Sequence, residues 1–101
     1  MNCHRWRLLG GIAFDIACMA GRMGWRVRRA WSSDSGSRYM VLAFGERRCL
    51  LRVSDHQLPR RARVELRDTR GRGAFVNWVL PRHWGRSMAW LRFRLWEVAW
   101  S

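Results

Sequence analysis

The sequence predicts an α+β fold in which an N-terminal helix packs on a four- to five-stranded antiparallel sheet. Three observations support this prediction: an apolar stripe of helical spacing near the N-terminus, a change to two-residue alternation from Arg38 onward, and turn-forming residues between the alternating segments. The length of 101 residues suits a single domain with one modest core.

The helix is predicted within residues 1–31. Apolar residues recur every three or four positions from Leu8 to Met23, which is typical of an amphipathic helix. Gly21 and Gly24 mark an end that we expect to be frayed. Because the next residues are basic and lead into a serine-rich stretch, the rest of this region is predicted to be a basic loop.

Two hairpins are predicted to form most of the sheet. Residues 38–53 contain two apolar arms of equal length around a Gly45-Glu46 turn. Residues 61–80 form the second, basic hairpin, because apolar residues alternate strictly with charged ones in its first arm and a glycine-rich turn precedes the next apolar run.

The segment 88–100 fits either a strand or a helix. Its aromatic residues have helical spacing, whereas apolar residues and arginines alternate in its middle as they do in a strand. A helix would scatter Arg92 and Arg94 over different faces, so we favour a strand. That strand would present Trp90 and Trp96 together with both arginines. The competing interpretation is that most tryptophans belong to the core.

The charge of the chain is carried by arginine alone. Twenty arginines and no lysine oppose seven acidic residues, so the net charge is +13. A guanidinium group grips phosphate or carboxylate in two places and stacks on aromatic rings. The net charge is +5 in residues 1–31 and +6 in residues 59–86, but +1 in residues 32–58 and in residues 87–101. The sequence therefore predicts two basic patches flanking a nearly neutral hairpin.

The strongest functional signal is the arginine-rich run of the second hairpin, which could follow a phosphate backbone. A smaller basic cluster precedes the first hairpin. The surface predicted to bind nucleic acid or another partner consists of Arg26, Arg28, Arg29, Arg60, Arg61, Arg63, Arg67, Arg70, Arg72, Trp90, Arg92 and Arg94.

No catalytic residue, cofactor or metal site is predicted. Ser54, Asp55 and His56 contain the residue types of a hydrolytic triad, but consecutive side chains point apart, so we interpret them as a turn or contact motif. A metal-dependent enzyme using His56, Asp55 and His83 is the least favoured alternative, because the acidic residues are scattered.

The three cysteines indicate free thiols. Cys3, Cys18 and Cys49 are an odd number and contain no C-x-x-C pair, which favours a reducing, cytoplasmic setting over a disulfide framework. A metal site made by the first two and His4 matches no familiar spacing, so small buried cysteines are predicted. No apolar run approaches the roughly 20 residues that a membrane span requires.

Residues 35–59 carry two short motifs, S-x-S-x-Y at residues 35–39 and R-V-S-D-H at residues 52–56. This pattern resembles short uncharacterised proteins of phages and other mobile elements, among which anti-CRISPR inhibitors are a prominent group. The resemblance covers about a quarter of the chain and brings no catalytic assignment. Many anti-CRISPR proteins are acidic mimics of DNA. A basic inhibitor would instead have to grip nucleic acid, guide RNA or an acidic surface.

The sequence thus predicts a small non-enzymatic binding protein of phage or mobile-element origin that binds nucleic acid or a nucleoprotein complex, with anti-CRISPR inhibition as a specific role. The alternative is a protein-only inhibitor or assembly subunit that docks on an acidic partner surface. Charge alone does not separate DNA, RNA and protein partners or define the oligomeric state.

Overall fold

The protein was analysed as a computed structural model, which describes residues 3–54, 61–68, 73–79 and 84–100. The chain forms two helices and five strands, in the order α1 (Cys3–Arg22), β1 (Arg26–Ser32), β2 (Arg38–Phe44), β3 (Arg47–Ser54), β4 (Arg61–Asp68), β5 (Gly73–Val79) and α2 (Trp84–Ala99). The predicted α+β class, with an N-terminal helix packed on an antiparallel sheet, is confirmed.

The five strands pair in chain order, and every neighbouring pair is antiparallel. Both predicted hairpins are present as the β2–β3 and β4–β5 pairs. Gly45 has a φ of 57° in the turn between β2 and β3. A glycine adopts this left-handed conformation without steric cost, which is why the turn closes in two residues.

Helix α1 buries the apolar stripe that the sequence predicts. Leu9, Ile12 and Ile16 are fully buried, and Met19 is 7% exposed. These side chains lie on one side of the helix because residues three and four apart are neighbours on its surface. They face the core side of the sheet.

The end of α1 is an ordered turn and not the frayed end that the glycines suggested. Gly24 has a φ of 99°, and its N–H donates to the carbonyl of Gly21 at 3.1 Å. The N–H of Trp25 donates to the carbonyl of Ala20 at 2.9 Å. This pair of bonds is the Schellman arrangement, in which a left-handed glycine satisfies the last carbonyls of a helix.

The loop predicted after α1 is wrong, because residues 26–32 form strand β1. All seven residues of β1 are exposed. A strand is recognised in a sequence by alternating apolar residues, which arise when one of its faces is buried. An exposed edge strand has little of this alternation. The register of β1 against β2 shifts between Val27 and Arg29, which marks a bulge at Arg28.

The strand favoured for residues 88–100 is also wrong, because this segment belongs to helix α2. Leu91 and Leu95 are fully buried, and Met88 and Val98 pack against the same core. Their spacing of three, four and three residues is helical. Phe93, which a strand would have buried beside the two leucines, is 56% exposed.

Both helices lie on one face of the sheet. α1 contacts β1, β2 and β3, whereas α2 contacts β5 and α1. The core between these layers includes Leu42, Leu51 and Val64 from the sheet. Among the described residues no helix covers the opposite face, which we call the open face. Neither helix combines the length and hydropathy needed to cross a membrane within the described part of the chain.

Candidate nucleic-acid interface

The strand register aligns one row of residues across the open face. Trp31 is opposite Tyr39, Tyr39 is opposite Arg52, Arg52 is opposite Glu65, and Glu65 is opposite Phe75. Residues directly opposite each other in a sheet lie on the same face. The row therefore crosses all five strands, and it begins with Trp31 on β1 and Tyr39 on β2.

A parallel row lies one step along the strands. Arg29 is opposite Val41, Val41 is opposite Leu50, and Leu50 is opposite Arg67. On β4, Arg63 lies two residues before Glu65 and is therefore on the same face of the sheet. The open face thus gathers arginines from three strands, among them Arg29, Arg52, Arg63 and Arg67.

Two arginines and two aromatic rings contact one another in sequence across three strands, and we call them the arginine-aromatic row: Arg29, Trp31, Tyr39 and Arg52. The indole and phenol rings lie 5.3 Å apart with 4° between their planes. The guanidinium carbon of Arg29 is 5.2 Å from the centre of the Trp31 ring. That of Arg52 is 5.7 Å from the centre of the Tyr39 ring. A guanidinium that stacks on a ring keeps its N–H edge available for phosphate oxygens.

The charge of the open face is only partly neutralised. Glu65 lies 3.4 Å from Nε of Arg63 and 3.8 Å from a terminal nitrogen of Arg67. Within the described part of the chain, Arg29 and Arg52 form no ion pair with a carboxylate. Arg29, Arg52, Arg63 and Arg67 against Glu65 give these five residues a net charge of +3, and Arg26 and Arg48, which both pair with Ala43, add further positive charge to this face.

The centre of the open face is slightly concave. A depression of about 210 Å³ is lined by Tyr39, Leu50, Arg52, Glu65 and Arg67. Nε of Arg52 is buried and has no acceptor among the described residues. An anion that settled in this depression would meet unneutralised guanidinium and an aromatic edge.

The structure brings the two predicted basic patches onto one sheet. Arg26, Arg28 and Arg29 lie on β1, and Arg63 and Arg67 lie on β4. The residues Arg29 and Arg67 belong to the same transverse row, three strand spacings apart, which corresponds to about 14 Å.

Other predicted residues cannot be assigned to this surface. Arg61 begins β4, but its side chain lies outside the described residues, as do Arg60, Arg70 and Arg72. Ser54 ends β3 and is 2% exposed. Its predicted partners in the turn or contact motif, Asp55 and His56, lie outside the described residues.

Trp90, Arg92 and Arg94 do not lie on the open face, and their role in binding nucleic acid or a partner stays a prediction. All three lie on α2, and α2 packs on the opposite face of the sheet. Arg94 lies over the Trp90 ring at 5.5 Å and pairs with Glu97 at 3.1 Å. Arg92 points to another side of the helix, because residues two apart differ by about 200° in direction.

Sequence reasoning missed three members of the row: Trp31, Tyr39 and Arg52. The nearly neutral first hairpin hides the last two, because its charge was counted over the whole segment. Their positions alternate with Met40 and Leu51, which are buried. This alternation could have identified them, because it places Tyr39 and Arg52 on the face of the sheet that points away from the core.

The tryptophans and cysteines depart from the predicted burial. Trp25 is 3% exposed, but Trp31, Trp96 and Trp100 are exposed by 40%, 55% and 69%. The expectation that most tryptophans form the core is therefore wrong for those described. Cys18 is exposed, contrary to prediction.

Cys49 is buried as predicted, and burial together with the charge of Asp68 raises the pKa of its thiol to about 12. The metal site considered for Cys3 and Cys18 is excluded by distance, because 15 residues of helix separate them by about 22 Å. Within the described ranges, no three potential ligands among histidine, cysteine and acidic residues cluster.

No protein-family model matches the chain, and no curated protein or solved structure shows significant similarity to it.

Proposed function

We propose that the protein binds single-stranded nucleic acid on the open face of its sheet. The arginine-aromatic row carries this proposal, because it combines ring surfaces for bases with guanidinium groups for phosphates. Stacking of a base on an aromatic side chain is worth about 1 to 3 kcal/mol in single-strand binders. The 40% exposure of Trp31 leaves part of its ring surface accessible for such contact.

The arginines on β4 extend the surface that phosphates can follow. Arg67 has 61% of its side chain exposed despite its contact with Glu65. The contact is long at 3.8 Å and its arginine is exposed, so Arg67 can exchange it for a phosphate. Arg63 is held closer to the same carboxylate, so we expect a weaker contribution from it.

A single strand suits this surface better than a duplex. In a duplex the bases are already stacked on one another, so the exposed ring of Trp31 gains no partner. The sheet face is broad and only slightly concave, whereas duplex readers insert a helix or a two-stranded ribbon into a groove. Nothing in the row selects a base by hydrogen bonding, so we expect weak sequence preference.

On the motifs of residues 35–39 and 52–56, we propose a phage or mobile-element protein that occupies the nucleic acid of a host defence complex. Anti-CRISPR inhibition is the specific form of this role, with no catalysis by the protein. A cytoplasmic location accords with the free thiols of Cys18 and Cys49.

Fluorescence anisotropy with labelled oligonucleotides tests the binding proposal. Single-stranded DNA, single-stranded RNA and duplex DNA of one sequence are titrated at two salt concentrations. We expect tighter binding of at least one single strand than of the duplex. If four phosphates are contacted, the slope of log K against log salt should be about −3 for a single strand. Equal or tighter duplex binding, or binding indifferent to salt, would contradict the proposal.

A further inference from the structure

A groove of about 510 Å³ lies on the helix side of the molecule, away from the open face. It runs between the C-terminal end of α1 and the exposed side of α2. Its lining includes four aromatic residues and two cations: Trp25, Phe93, Trp96, Trp100, Arg22 and Arg92. We call it the helix groove. Its volume falls within the range of sites that bury a drug-sized group.

Three aromatic side chains of the lining lie largely outside the core and are exposed to solvent. Phe93, Trp96 and Trp100 are exposed by 56%, 55% and 69%. Their spacing of three and four residues places them on one side of α2. The rings of the first two are 6.4 Å apart and inclined by 23°. A contiguous exposed patch of large apolar side chains marks a surface that another molecule covers.

The rings are also ordered by contacts that continue into the fold. The ring of Trp100 packs edge-on against Phe44 at 5.8 Å, and Phe44 contacts Trp25 at 5.4 Å. Trp25 is 3% exposed, and its buried indole N–H has no acceptor among the described residues. The groove is therefore preformed, because its aromatic lining is held by contacts within the fold.

The charge of the groove identifies the chemistry of its occupant. The charged residues of its lining, within the described part of the chain, are Arg22 and Arg92, and neither has an ion-pair partner there. A second copy of this chain carries +13 and would be repelled. An acidic occupant is attracted instead.

A protein segment fits this surface better than a nucleic acid. The lining is mainly apolar, so it suits a bulky aliphatic or aromatic side chain, and two arginines suit flanking carboxylates. A nucleic-acid backbone needs a longer track of cations, and the open face provides at least four arginines. Tryptophan and arginine are also the residues that dominate protein-binding hot spots.

We infer that the helix groove binds an acidic segment of a partner protein, with a bulky apolar side chain against Trp96 and Trp100 and carboxylates on Arg22 and Arg92. This site lies on the opposite side of the sheet from the proposed nucleic-acid surface. Both can be occupied at once, so the protein can link a nucleic acid to an acidic protein.

The probe is a short labelled peptide rich in glutamate with one phenylalanine and two leucines, titrated against the full chain by fluorescence anisotropy. One control peptide replaces glutamate by lysine, and another replaces the three apolar residues by serine. We expect the acidic apolar peptide to bind at least about tenfold more tightly than either control. Equal affinity for the three peptides would overturn the inference.

Variants locate the binding site. Trp96→Ala should weaken binding of the acidic peptide by about tenfold, and Arg92→Gln should weaken it severalfold. Phe14→Ala is the matched control, because Phe14 is a 68% exposed aromatic residue on α1 outside the groove. Circular dichroism melting confirms that each variant is folded. Equal losses in the groove variants and in the control would overturn the assignment.

The two binding surfaces are separated by cross-titration. We expect Trp96→Ala to leave oligonucleotide affinity unchanged, and a saturating single strand to leave the peptide bound. If the single strand displaces the peptide and Trp96→Ala weakens both ligands equally, the groove is part of the nucleic-acid surface and the inference is overturned. Failure of all oligonucleotides to bind, with selective peptide binding, would contradict the proposed function alone.

Discussion

Trp31 of the edge strand and Tyr39 of its neighbour face each other with rings 5.3 Å apart and nearly parallel. A cross-strand aromatic pair of this kind stabilises a sheet by roughly 0.2 to 1 kcal/mol. Here the pair ties an otherwise exposed strand to the sheet. It also supports a guanidinium group on either member, so the same contact that holds β1 in place builds the open face.

Removal of the indole should separate its binding role from its structural one. We expect Trp31→Ala to weaken single-strand affinity by roughly 5- to 150-fold, which corresponds to the loss of about 1 to 3 kcal/mol of stacking. Anisotropy titration measures this loss. Phe93→Ala removes a 56% exposed aromatic residue from α2, on the other side of the sheet, and should leave the affinity unchanged. A loss in Phe93→Ala as large as that in Trp31→Ala would contradict a role for the open face.

Charge neutralisation at the centre of the sheet should change the salt dependence. Arg52→Gln is expected to make the slope of log K against log salt less steep by about 0.7, the value for one phosphate contact with a single strand. Arg86→Gln removes the same charge from an exposed position on α2. If both variants change the slope equally, the oligonucleotide is attracted by the net charge of the chain and Arg52 makes no specific phosphate contact.

The glycine that ends α1 should resist substitution. A Cβ at Gly24 would lie 3.0 Å from Cε2 of Phe44, and the φ of 99° disfavours any L side chain. We expect Gly24→Ala to lower the free energy of unfolding by about 1 to 2 kcal/mol. Urea denaturation measures the change.

Gly11→Ala provides the matched control for this substitution. A Cβ at Gly11 would meet nothing within 4 Å, and the residue lies inside α1. We expect this variant to gain about 0.5 to 1 kcal/mol from helix propensity. A stable Gly24→Ala protein would show that the left-handed turn is not required.

Cys18 and Cys49 should differ in reactivity. In a Cys3→Ser background at pH 8, a thiol reagent should label exposed Cys18 at once and buried Cys49 only when the protein opens. Burial and the neighbouring charge of Asp68 raise the pKa of Cys49 from 9.0 to about 12, so its thiol stays protonated in the native state. Equal labelling rates would contradict this environment.

The same shift predicts a loss of stability in alkali. The unfolded thiol ionises near pH 9 and the native thiol near pH 12, so the contribution of Cys49 to stability is complete below pH 9 and declines as the pH rises toward 12. Denaturation of the native protein and of Cys49→Ala across this range measures the difference. The decline should be smaller in Cys49→Ala.

The sequence predicts those helices and strands in which one buried face produces a periodic pattern of apolar residues. The stripe of α1 and the arms of the first hairpin are examples, because each has one buried face. β1 shows no such pattern, since both of its faces are exposed. In α2 the pattern was ambiguous, because Leu91 and Leu95 satisfy both a two-residue period and a helical turn.

The binding surface could be predicted only in part for a related reason. Arg29, Arg63 and Arg67 stand out as clustered charge, and all three lie on the open face. Trp31 and Arg52 lie beside Tyr39 on the same face because β1 and β3 both pair with β2. The bulge at Arg28 lies in the register between β1 and β2. Cross-strand neighbours are a product of register, which local composition does not specify.

The order of the strands has a consequence for how the chain folds. Each strand ladder joins consecutive strands, so the sheet can grow by closing short loops, which cost little entropy and favour rapid folding. The contact between α1 and α2 is different, because it closes a loop that contains the whole sheet. The helix groove lies across this contact. The groove therefore requires both helices to be in place, and a ligand of the groove would stabilise only the completed fold.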